Sequence, residues 1–422
     1  MKFTRVFAFM ALAGLATSAS ATNGYFSHGY GMKAKGMGGA ATATHDDAFF
    51  GANNPAAAAF AGNRMELGVD LFSPRREASR TGLGGLDMSV DSDSNYFLVP
   101  EFGYNRMVNN NLALGVTVYG NGGMNSDYAG GQINCGAGAA NMLCGQGSLG
   151  VDLMQLIIAP TAAYKIAPNH SVGISPLLGY QRFKAEGLHS FDQGTITSST
   201  GNVTNQGYDD AFGFGVRIGY MGKVAPTVTI GAAYASKMRF EEFDKYKGLF
   251  AEQGDFDIPE NYNLGVAWQA TPAIKLALDY QRINYSDVKS IANPSTNNAL
   301  LGTANGRGFG WSDVDVWKLG VEYKHSQNLT LRAGYNHGDN PIQARDVTFN
   351  ILAPGVIKDH VTLGFTYTLA SGNELTMSYM HAFKNDVNGV SLLPAFSGGS
   401  PSGNENIEMY QNSLGIQYSW KM

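Results

Sequence analysis

The sequence predicts an all-β protein: a transmembrane antiparallel β-barrel of about 14 strands with an N-terminal luminal plug. Three observations favour this fold. Apolar and polar residues alternate along many segments, short and long connections alternate between those segments, and the final segment of the chain also alternates. Only 15% of the 422 residues are charged, whereas 54 are glycine and 11% are aromatic. This composition is atypical of disordered chains and of basic nucleic-acid-binding proteins.

The alternation has a strict period of two residues. The segment from His360 reads HVTLGFTYTLA, in which large apolar residues occupy every second position, and similar segments begin at Leu112, Ile274 and Leu414. A soluble sandwich shows the same alternation. Tyr and Trp residues at the segment ends favour a membrane barrel instead, because such barrels carry aromatic girdles at both interfaces.

The lengths of the connections predict the topology. Six short connections are predicted at 107–111, 167–170, 223–226, 270–272, 326–328 and 371–373. Seven long connections are predicted near 79–93, 131–150, 188–207, 241–257, 291–310, 339–356 and 387–405. Short periplasmic turns and long outer loops are typical of outer-membrane barrels, so this pattern predicts about fourteen strands within residues 64–422.

The N-terminus predicts export. Lys2 and Arg5 precede an apolar run, and Ala19-Ser20-Ala21 has the small residues of a cleavage site, so residues 1–21 are predicted to be a signal peptide. No later stretch has 18 consecutive apolar residues. Together with the barrel pattern, the signal peptide predicts the outer membrane of a Gram-negative bacterium.

Residues 22–63 are predicted to form a compact hatch inside the lumen, because they are rich in Gly and Ala and do not alternate. A flexible periplasmic tail is the alternative. The hatch contains Asp46-Asp47-Ala48 and, five residues later, Asn54-Pro55-Ala56. With the segments 119–131, 180–186 and 339–341, these motifs resemble the FadL-type family of long-chain fatty acid transporters, which includes aromatic-hydrocarbon channels.

The resemblance implies energy-independent uptake of hydrophobic molecules, which bind first in an outer groove and then in a luminal pocket. It also implies a kinked third strand that opens laterally toward the membrane. Here the kink falls at Gly120, Asn121, Gly122 and Gly123, where glycine permits a bulge or a positive φ. Alternatively, these residues begin the outer loop. If they form the kink, β-branched replacements are expected to close the opening.

The resemblance further implies a basic site for a fatty-acid carboxylate. Arg182 matches one basic position, and a guanidinium suits bidentate carboxylate binding. Alternation from Val172 and Ile174 directs Arg182 toward lipid unless Pro176 resets the phase or Arg182 lies above the bilayer. The second basic position falls near Ser312, which is not basic. A neutral hydrophobic ligand is therefore an alternative to a ligand with a carboxylate. Arg182 as an ordinary luminal or interfacial arginine also stays open.

Cys135 and Cys144 are the only cysteines, and both lie in one predicted outer loop. A disulfide between them is expected in an oxidising compartment, with two free thiols as the alternative. The sequence has no G-x-S-x-G, H-E-x-x-H or C-x-x-C motif. Pairs such as Asp313 with Asp315 are interpreted as solvated residues. We therefore expect no enzyme activity, no cofactor and no metal site.

The predicted function is passive uptake of hydrophobic compounds, most simply long-chain fatty acids, with lateral release at the third strand. The expected partners are hydrophobic small molecules and outer-membrane lipid, with no nucleic acid, and the expected state is a monomer. An aromatic-hydrocarbon channel is the alternative within the same class. A surface adhesin or structural barrel is the alternative from another class, and it gives no role to a hatch.

Overall fold

The computed structural model describes residues 22–136 and 138–422, and the predicted signal peptide lies outside them. Fourteen antiparallel strands form one closed barrel. They are β1 (Arg64–Thr81), β2 (Phe97–Met107), β3 (Leu112–Tyr128), β4 (Leu149–Ala167), β5 (His170–Glu186), β6 (Asp209–Ala225), β7 (Val228–Ala235), β8 (Asn261–Gln269), β9 (Ile274–Ile283), β10 (Val314–Lys324), β11 (Leu329–Gly338), β12 (Asp359–Thr368), β13 (Glu374–Val390) and β14 (Asn404–Lys421).

Each strand pairs with the next along the chain, and β14 pairs with β1 from Lys421 opposite Arg64 to Asn404 opposite Thr81. The turns after the even-numbered strands are short, and they define the short-turn end of the barrel. The other connections are long and define the long-loop end. The predicted strand number and the alternation of connection lengths are confirmed. Among the described residues, no helix is long and apolar enough to cross a membrane.

Where the structure describes them, the long loops and the hatch contain only short elements. Four-residue helical segments are α1 (Met32–Lys35), α2 (Ala251–Gly254), α3 (Lys289–Ala292), α4 (Val347–Asn350) and α5 (Leu393–Phe396). Single 3-10 turns are Pro55–Ala59, Gly84–Leu86, His189–Phe191, Asp244–Tyr246, Tyr285–Asp287 and Ala344–Asp346. Short loop strands are Met88–Asp91, Ile133–Asn134, Ala139–Ala140 and Arg239–Phe240.

The two faces of the barrel wall differ as the alternation predicts. On β1, Leu67 and Leu71 point outward and are more than 40% exposed, whereas Glu66 and Asp70 point inward and are buried. Exposed aromatic side chains mark both ends of the apolar belt. Those at the short-turn end are Tyr164, Trp268, Tyr323 and Tyr367, and those at the long-loop end are Phe212, Tyr234, Trp317 and Tyr335.

The segment predicted as the hatch lies inside the barrel and is almost entirely buried. Its glycines allow the backbone to fold tightly: Gly39 has a φ of 87°, and a Cβ there would lie 1.8 Å from the carbonyl oxygen of His28. Strand glycines serve the same purpose on the wall. A Cβ at Gly173 would lie 2.4 Å from the carbonyl carbon of Pro55. Close packing of hatch on wall therefore depends on small residues from both.

Buried ion pairs fix the hatch to the wall. The Lys35 ammonium lies 2.9 Å from Asp70 and 2.6 Å from Glu101, and the Lys33 ammonium lies 2.7 Å from Glu374. Wall carboxylates also accept hatch backbone N–H groups, as Asp279 does from Ala41 and Thr42 at 2.8 Å. Removing one partner of such a buried pair costs about 3–5 kcal/mol, so these contacts hold the body of the hatch in place.

Candidate functional site

The barrel wall has a gap between β2 and β3. These strands pair from Met107 opposite Ala113 only as far as Phe102 opposite Val118. Beyond that point β2 continues to Phe97, paired with β1, and β3 continues to Tyr128, paired with β4. The gap ends at Tyr128, which forms a bridge with Ser92. The wall is thus interrupted over the long-loop half of β3.

Hatch residues Tyr25–Ser27 cover the gap from inside by bonding to the free edge of β3. The amide of Gly123 donates to the Tyr25 carbonyl, and the amide of Ser27 donates to the Asn121 carbonyl, both at 3.2 Å. Phe26 forms a β-bridge with Gly122, and a Cβ on Gly122 would lie only 1.7 Å from the Tyr25 oxygen. The hatch therefore supplies a short backbone partner for β3, in place of β2.

The glycines of the expected kink lie at a bulge. The register between β3 and β4 shifts between Gly120 and Gly122, which leaves Asn121 without an opposite residue. This register shift is the bulge that glycine was expected to permit here, and none of the three glycines has a positive φ. At Gly122, small size is required because the hatch backbone lies against it.

The bulge directs the Asn121 side chain into the lumen. Its amide donates to Gln155 on β4 at 3.1 Å, Gln155 donates to Gln181 on β5 at 3.2 Å, and Gln181 donates to the Phe256 carbonyl at 2.9 Å. These buried amides link the gap to the loop between β7 and β8. Sequence analysis missed this row, although uncharged amides at inward positions of consecutive strands are a readable signal.

A second element of the site is an apolar cavity at the long-loop end, with a free volume of about 30 Å³. Five phenylalanines dominate the lining, and Arg307 is the one charged lining residue within the described part of the chain. The residues that line the cavity are Leu143, Val151, Phe183, Leu188, Phe191, Leu249, Phe250, Ser290, Leu301, Arg307, Gly308, Phe309, Thr348, Phe349 and Leu352.

Arg307 is half-buried beside this apolar surface. Its Nε donates to the Asn297 carbonyl at 2.9 Å, and its guanidinium carbon lies 5.0 Å from the ring centre of Phe396. Burial lowers the pKa of Arg307. Within the described residues Arg307 has no carboxylate at ion-pair distance, so its charge faces the cavity without an acidic partner. Sequence analysis missed Arg307, because nothing local distinguishes a loop arginine.

The cavity borders the long-loop end of the gap. Leu352 lines the cavity, and its carbonyl accepts a hydrogen bond from Ser126 of β3 at 2.7 Å. Hatch residues Tyr25 and Phe26 belong to the same continuous apolar cluster as the cavity lining. The tight contact between hatch and loops continues at Tyr285, whose hydroxyl donates to the Asn23 carbonyl at 2.6 Å.

The structure corrects the placement of Arg182. The ladder between β5 and β6 runs without a shift through Pro176, so the phase is not reset and Arg182 points outward. Its guanidinium carbon lies 3.7 Å from the ring centre of Tyr208, whose hydroxyl donates to Asp152 at 2.6 Å. Arg182 therefore does not reach the cavity and belongs to the outer interface.

The Cys135–Cys144 disulfide is present, in the loop between β3 and β4. The loop that it closes contains the short strand Ala139–Ala140, and the partner strand Ile133–Asn134 lies immediately before Cys135. Leu143, which immediately precedes Cys144, lines the cavity. The disulfide thus restricts a loop that forms part of the cavity wall.

The pair Asp313 and Asp315 noted in the sequence is used in ion pairs, and so is the loop residue Asp257. Asp313 and Asp315 both accept hydrogen bonds from Arg282, at 2.8 and 2.9 Å, and Asp257 pairs with Lys237 at 3.0 Å. Among the described residues, no group of three or more His, Cys, Asp or Glu side chains could hold a metal ion.

The two halves of the hatch motif have different contacts. Asn54 is fully buried: its side-chain oxygen accepts from the Ala56 amide at 3.1 Å, and its nitrogen donates to the carbonyls of Thr42 and Tyr220. Asn54 thus caps the 3-10 turn that begins at Pro55 and ties it to the wall. Asp46 pairs with Lys275 on β9.

We expect Asp47 to make hatch stability depend on pH. Burial and the nearby Glu66 carboxylate raise the pKa of Asp47 to about 7. An exposed aspartate titrates near 4, so the folded hatch binds the extra proton between about pH 4 and 7. Hatch stability should fall as pH rises through this window, by at most about 1.4 kcal/mol per unit for one proton. We expect Asp47→Asn to flatten this slope, as measured by proteolysis of the hatch at pH 5 and 8. An unchanged slope would exclude Asp47 as the titrating group.

Solved structures with the same architecture were found by comparison of folds. The chain matches a toluene transporter of Pseudomonas putida, TodX, with a TM-score of 0.69 and 19% identity over 94% of this chain and 99% of that one. It matches a FadL homologue of Pseudomonas aeruginosa with a TM-score of 0.71 and 14% identity over 94% and 99% of the two chains. The toluene transporter TbuX of Ralstonia pickettii gives 0.65 and 17%, with the same coverage. At these identities the likeness establishes the fold.

No curated protein sequence matches the chain. The family model for outer membrane protein transport proteins, OMPP1/FadL/TodX, matches residues 10–402. With the closed fourteen-stranded barrel and its hatch, this match shows that the chain belongs to the OMPP1/FadL/TodX family of outer membrane transport proteins.

Proposed function

We propose that this chain is a passive channel that takes up hydrophobic compounds from outside the cell, with long-chain fatty acids as its substrate class. The substrate is held in the apolar cavity and leaves sideways into the membrane through the gap between β2 and β3. One observation carries this proposal. The Arg307 guanidinium lies at the edge of an apolar cavity that borders the gap, and no carboxylate of the described residues is within ion-pair distance of it.

The cavity suits an acyl chain with an acidic head. Its surface is almost wholly apolar, and its free volume is about 30 Å³, so the side chains around it must move apart to admit an acyl chain. A carboxylate can accept two hydrogen bonds from a guanidinium, and such a bond is stronger in a dry site than in water. Arg307 would then orient the head while the phenylalanine rings contact the chain.

A sideways exit suits a hydrophobic substrate. Exposing apolar surface to the aqueous periplasm costs about 25 cal/mol per Å², whereas the bilayer interior imposes no such cost. An intact barrel offers no sideways exit, because every strand edge is paired. The stretch over which β2 and β3 do not pair with each other would supply one, in the long-loop half of the wall.

The contacts of the hatch support this route over passage down the lumen. Removing the hatch would break several buried ion pairs, among them those of Lys33 and Lys35. Opening the gap requires only that Tyr25–Ser27 move away from β3, where backbone hydrogen bonds and aromatic packing hold them. The smaller rearrangement is the lateral one.

Aromatic hydrocarbons are the second candidate substrate class. The five phenylalanines around the cavity favour a flat ring as well as an acyl chain, since aromatic rings pack favourably edge to face. Two of the similar solved structures are toluene transporters. A neutral hydrocarbon would make no use of the Arg307 charge, which is the reason to rank it second.

The substrate class is tested by Arg307→Met. We expect palmitate affinity of the purified barrel to fall about 10- to 100-fold, since hydrogen bonds to charged groups contribute about 1.5–3 kcal/mol. Toluene affinity should stay unchanged, because Met keeps the apolar volume. Binding is measured by calorimetry in detergent. Arg239→Met, which removes an exposed arginine from the same end of the barrel, is the matched control.

The two ligands separate the candidates. If Arg307→Met binds palmitate as tightly as the parent chain, Arg307 does not recognise the carboxylate. If the parent chain binds toluene but not palmitate, the aromatic-hydrocarbon alternative replaces the fatty-acid proposal. If it binds neither, the cavity is not a substrate site.

A further inference from the structure

Prolines are confined to one side of the barrel wall. Within the described strands they occur at Pro74 on β1, Pro100 on β2, Pro160 on β4 and Pro176 on β5. These strands flank β3, and the strands from β6 to β14 contain none. Because proline has no N–H, it removes a ladder hydrogen bond wherever its nitrogen faces a neighbouring strand.

The intact ladders show which way two of these nitrogens face. Pro160 lies in an unbroken ladder with β3, opposite Val116, so its nitrogen faces the other neighbour, β5. Pro176 lies in an unbroken ladder with β6, opposite Val216, so its nitrogen faces β4. In the β4–β5 register Ile158 pairs with Leu178 and Ala162 with Ile174, which places Pro160 directly opposite Pro176.

The two prolines therefore face each other, and the two backbone hydrogen bonds that this residue pair would otherwise form are both absent. The ladder between β4 and β5 is interrupted over 159–161 and 175–177, and it resumes in the same register on both sides. Because neither strand contains an extra residue, the interruption is not a bulge, and we call this stretch of 159–161 and 175–177 the window. On the luminal side a hydroxyl pair, Thr161 Oγ1 with Ser175 Oγ at 2.6 Å, joins the strands across it.

The window lies within the lipid-facing belt. Its outward neighbours Ile158, Ile174 and Leu178 are all at least 40% exposed. Carbonyl groups left without donors at this depth are costly, because lipid offers no hydrogen bonds. Pro74 and Pro100 interrupt no ladder in this way, since the β1–β2 ladder ends at Phe72 and the β2–β3 ladder at Phe102.

The window lies at the height where the gap begins. Pro160 is opposite Val116 of β3, and β3 separates from β2 just beyond Val118. Above this level β4 is the one barrel strand that pairs in a ladder with the free part of β3, and β4 pairs beyond it with β5. Single contacts also hold this part of β3, among them the bond from the Arg76 side chain to the Asn125 carbonyl and the bridge from Tyr128 to Ser92, and these would have to move with it or break. A bend of the wall at the window would therefore carry the free part of β3 away from β2.

We propose that Pro160 and Pro176 form a hinge in the wall, at which the long-loop part of β3–β5 bends outward and widens the gap. The Thr161–Ser175 hydroxyl pair keeps the strands together while the backbone bends. This proposal rests on the proposed function, because a wider gap matters only if substrate leaves through it.

The test restores the missing donors with Pro160→Val and Pro176→Val, singly and together. Valine favours regular strands and keeps an apolar outward side chain. Two spin labels, at Leu98→Cys on β2 and Asp127→Cys on β3, report the gap width by pulsed electron resonance. We expect the double proline variant to narrow the distance distribution, raise the unfolding temperature and slow palmitate uptake by about fivefold, as when a conformational step limits the rate.

The matched control is Ile174→Val, which changes a lipid-facing side chain of β5 but adds no donor. An unchanged distance distribution in the double proline variant would overturn the hinge, whatever the uptake rate. A narrowed distribution with parental uptake would also overturn it as a transport device. Failure of the proposed function is seen separately, as absence of palmitate binding and uptake in the parent chain.

Discussion

A Gly122→Val variant is expected to keep its barrel but lose the contact between the hatch and β3. A Cβ at this position would lie 1.7 Å from the carbonyl oxygen of Tyr25, and backbone cannot move aside as a flexible side chain can. The hydrogen bonds from Gly123 to Tyr25 and from Ser27 to Asn121 should break with it. The gap is then uncovered from inside, and uptake of a hydrophobic probe should rise.

This expectation has the opposite sign from the one drawn from sequence alone. A β-branched residue favours regular pairing, which suggested closure of the opening. There is no strand beside Gly122 for valine to pair with on the open side, because the nearest backbone is the hatch. Steric exclusion of Tyr25–Ser27 is therefore the dominant effect.

The measurement is maleimide labelling of Ser27→Cys, since Ser27 is 9% exposed in the parent chain. We expect labelling about tenfold faster in the Gly122→Val background, as for a local opening favoured by about 1.4 kcal/mol. Gly194→Val is the control, because a Cβ at Gly194 meets nothing within 4 Å. Labelling at the parental rate would show that the hatch accommodates the new side chain.

The strand number and topology were accessible from the sequence because alternation is local. Each strand shows its own period of two residues, and each short turn falls between two such runs. The disulfide was accessible for a similar reason, since both cysteines lie in one loop. The placement of Arg182 depended on whether Pro176 resets the phase. The Pro176 nitrogen faces Pro160, which has no N–H either. The ladder between β5 and β6 therefore runs through Pro176 without a shift, and β5 keeps its inward and outward alternation.

The site itself depends on residues far apart in the chain. The sequence placed the opening at the glycines of β3. Its extent depends instead on where the ladder between β2 and β3 ends, at Phe102. The cavity brings together loops from 143 to 352, and Arg307 gains its meaning only from the phenylalanines around it. No local pattern records these contacts, and the hatch residues that cover the gap lie nearly a hundred positions before it.

A buried charge network holds the loops over the cavity, and its loss is the second large effect expected. Arg80 and Glu405 lie opposite each other on β1 and β14, both side chains are fully buried, and their charged groups are 2.7 Å apart. Arg80 also donates to the Met142 carbonyl at 2.7 Å, and Glu405 accepts from Ser391 at 2.9 Å. One ion pair thus joins two strand ends to two loops.

Glu405→Leu should destabilise the protein by about 3–5 kcal/mol, because it leaves the Arg80 guanidinium buried without its partner. The double variant Arg80→Leu with Glu405→Leu should regain most of that loss, since replacing both charges removes the unpaired ion. Unfolding in denaturant measures stability, and hydrogen exchange over the Met142 loop reports whether the cavity wall loosens. Glu408→Leu is the control on the same strand, because its partner Lys384 is exposed and little change is expected. If the single and double variants are equally unstable, the charge pair is not what secures the loops, and the apolar packing around Phe349 and Leu143 must hold the cavity closed without it.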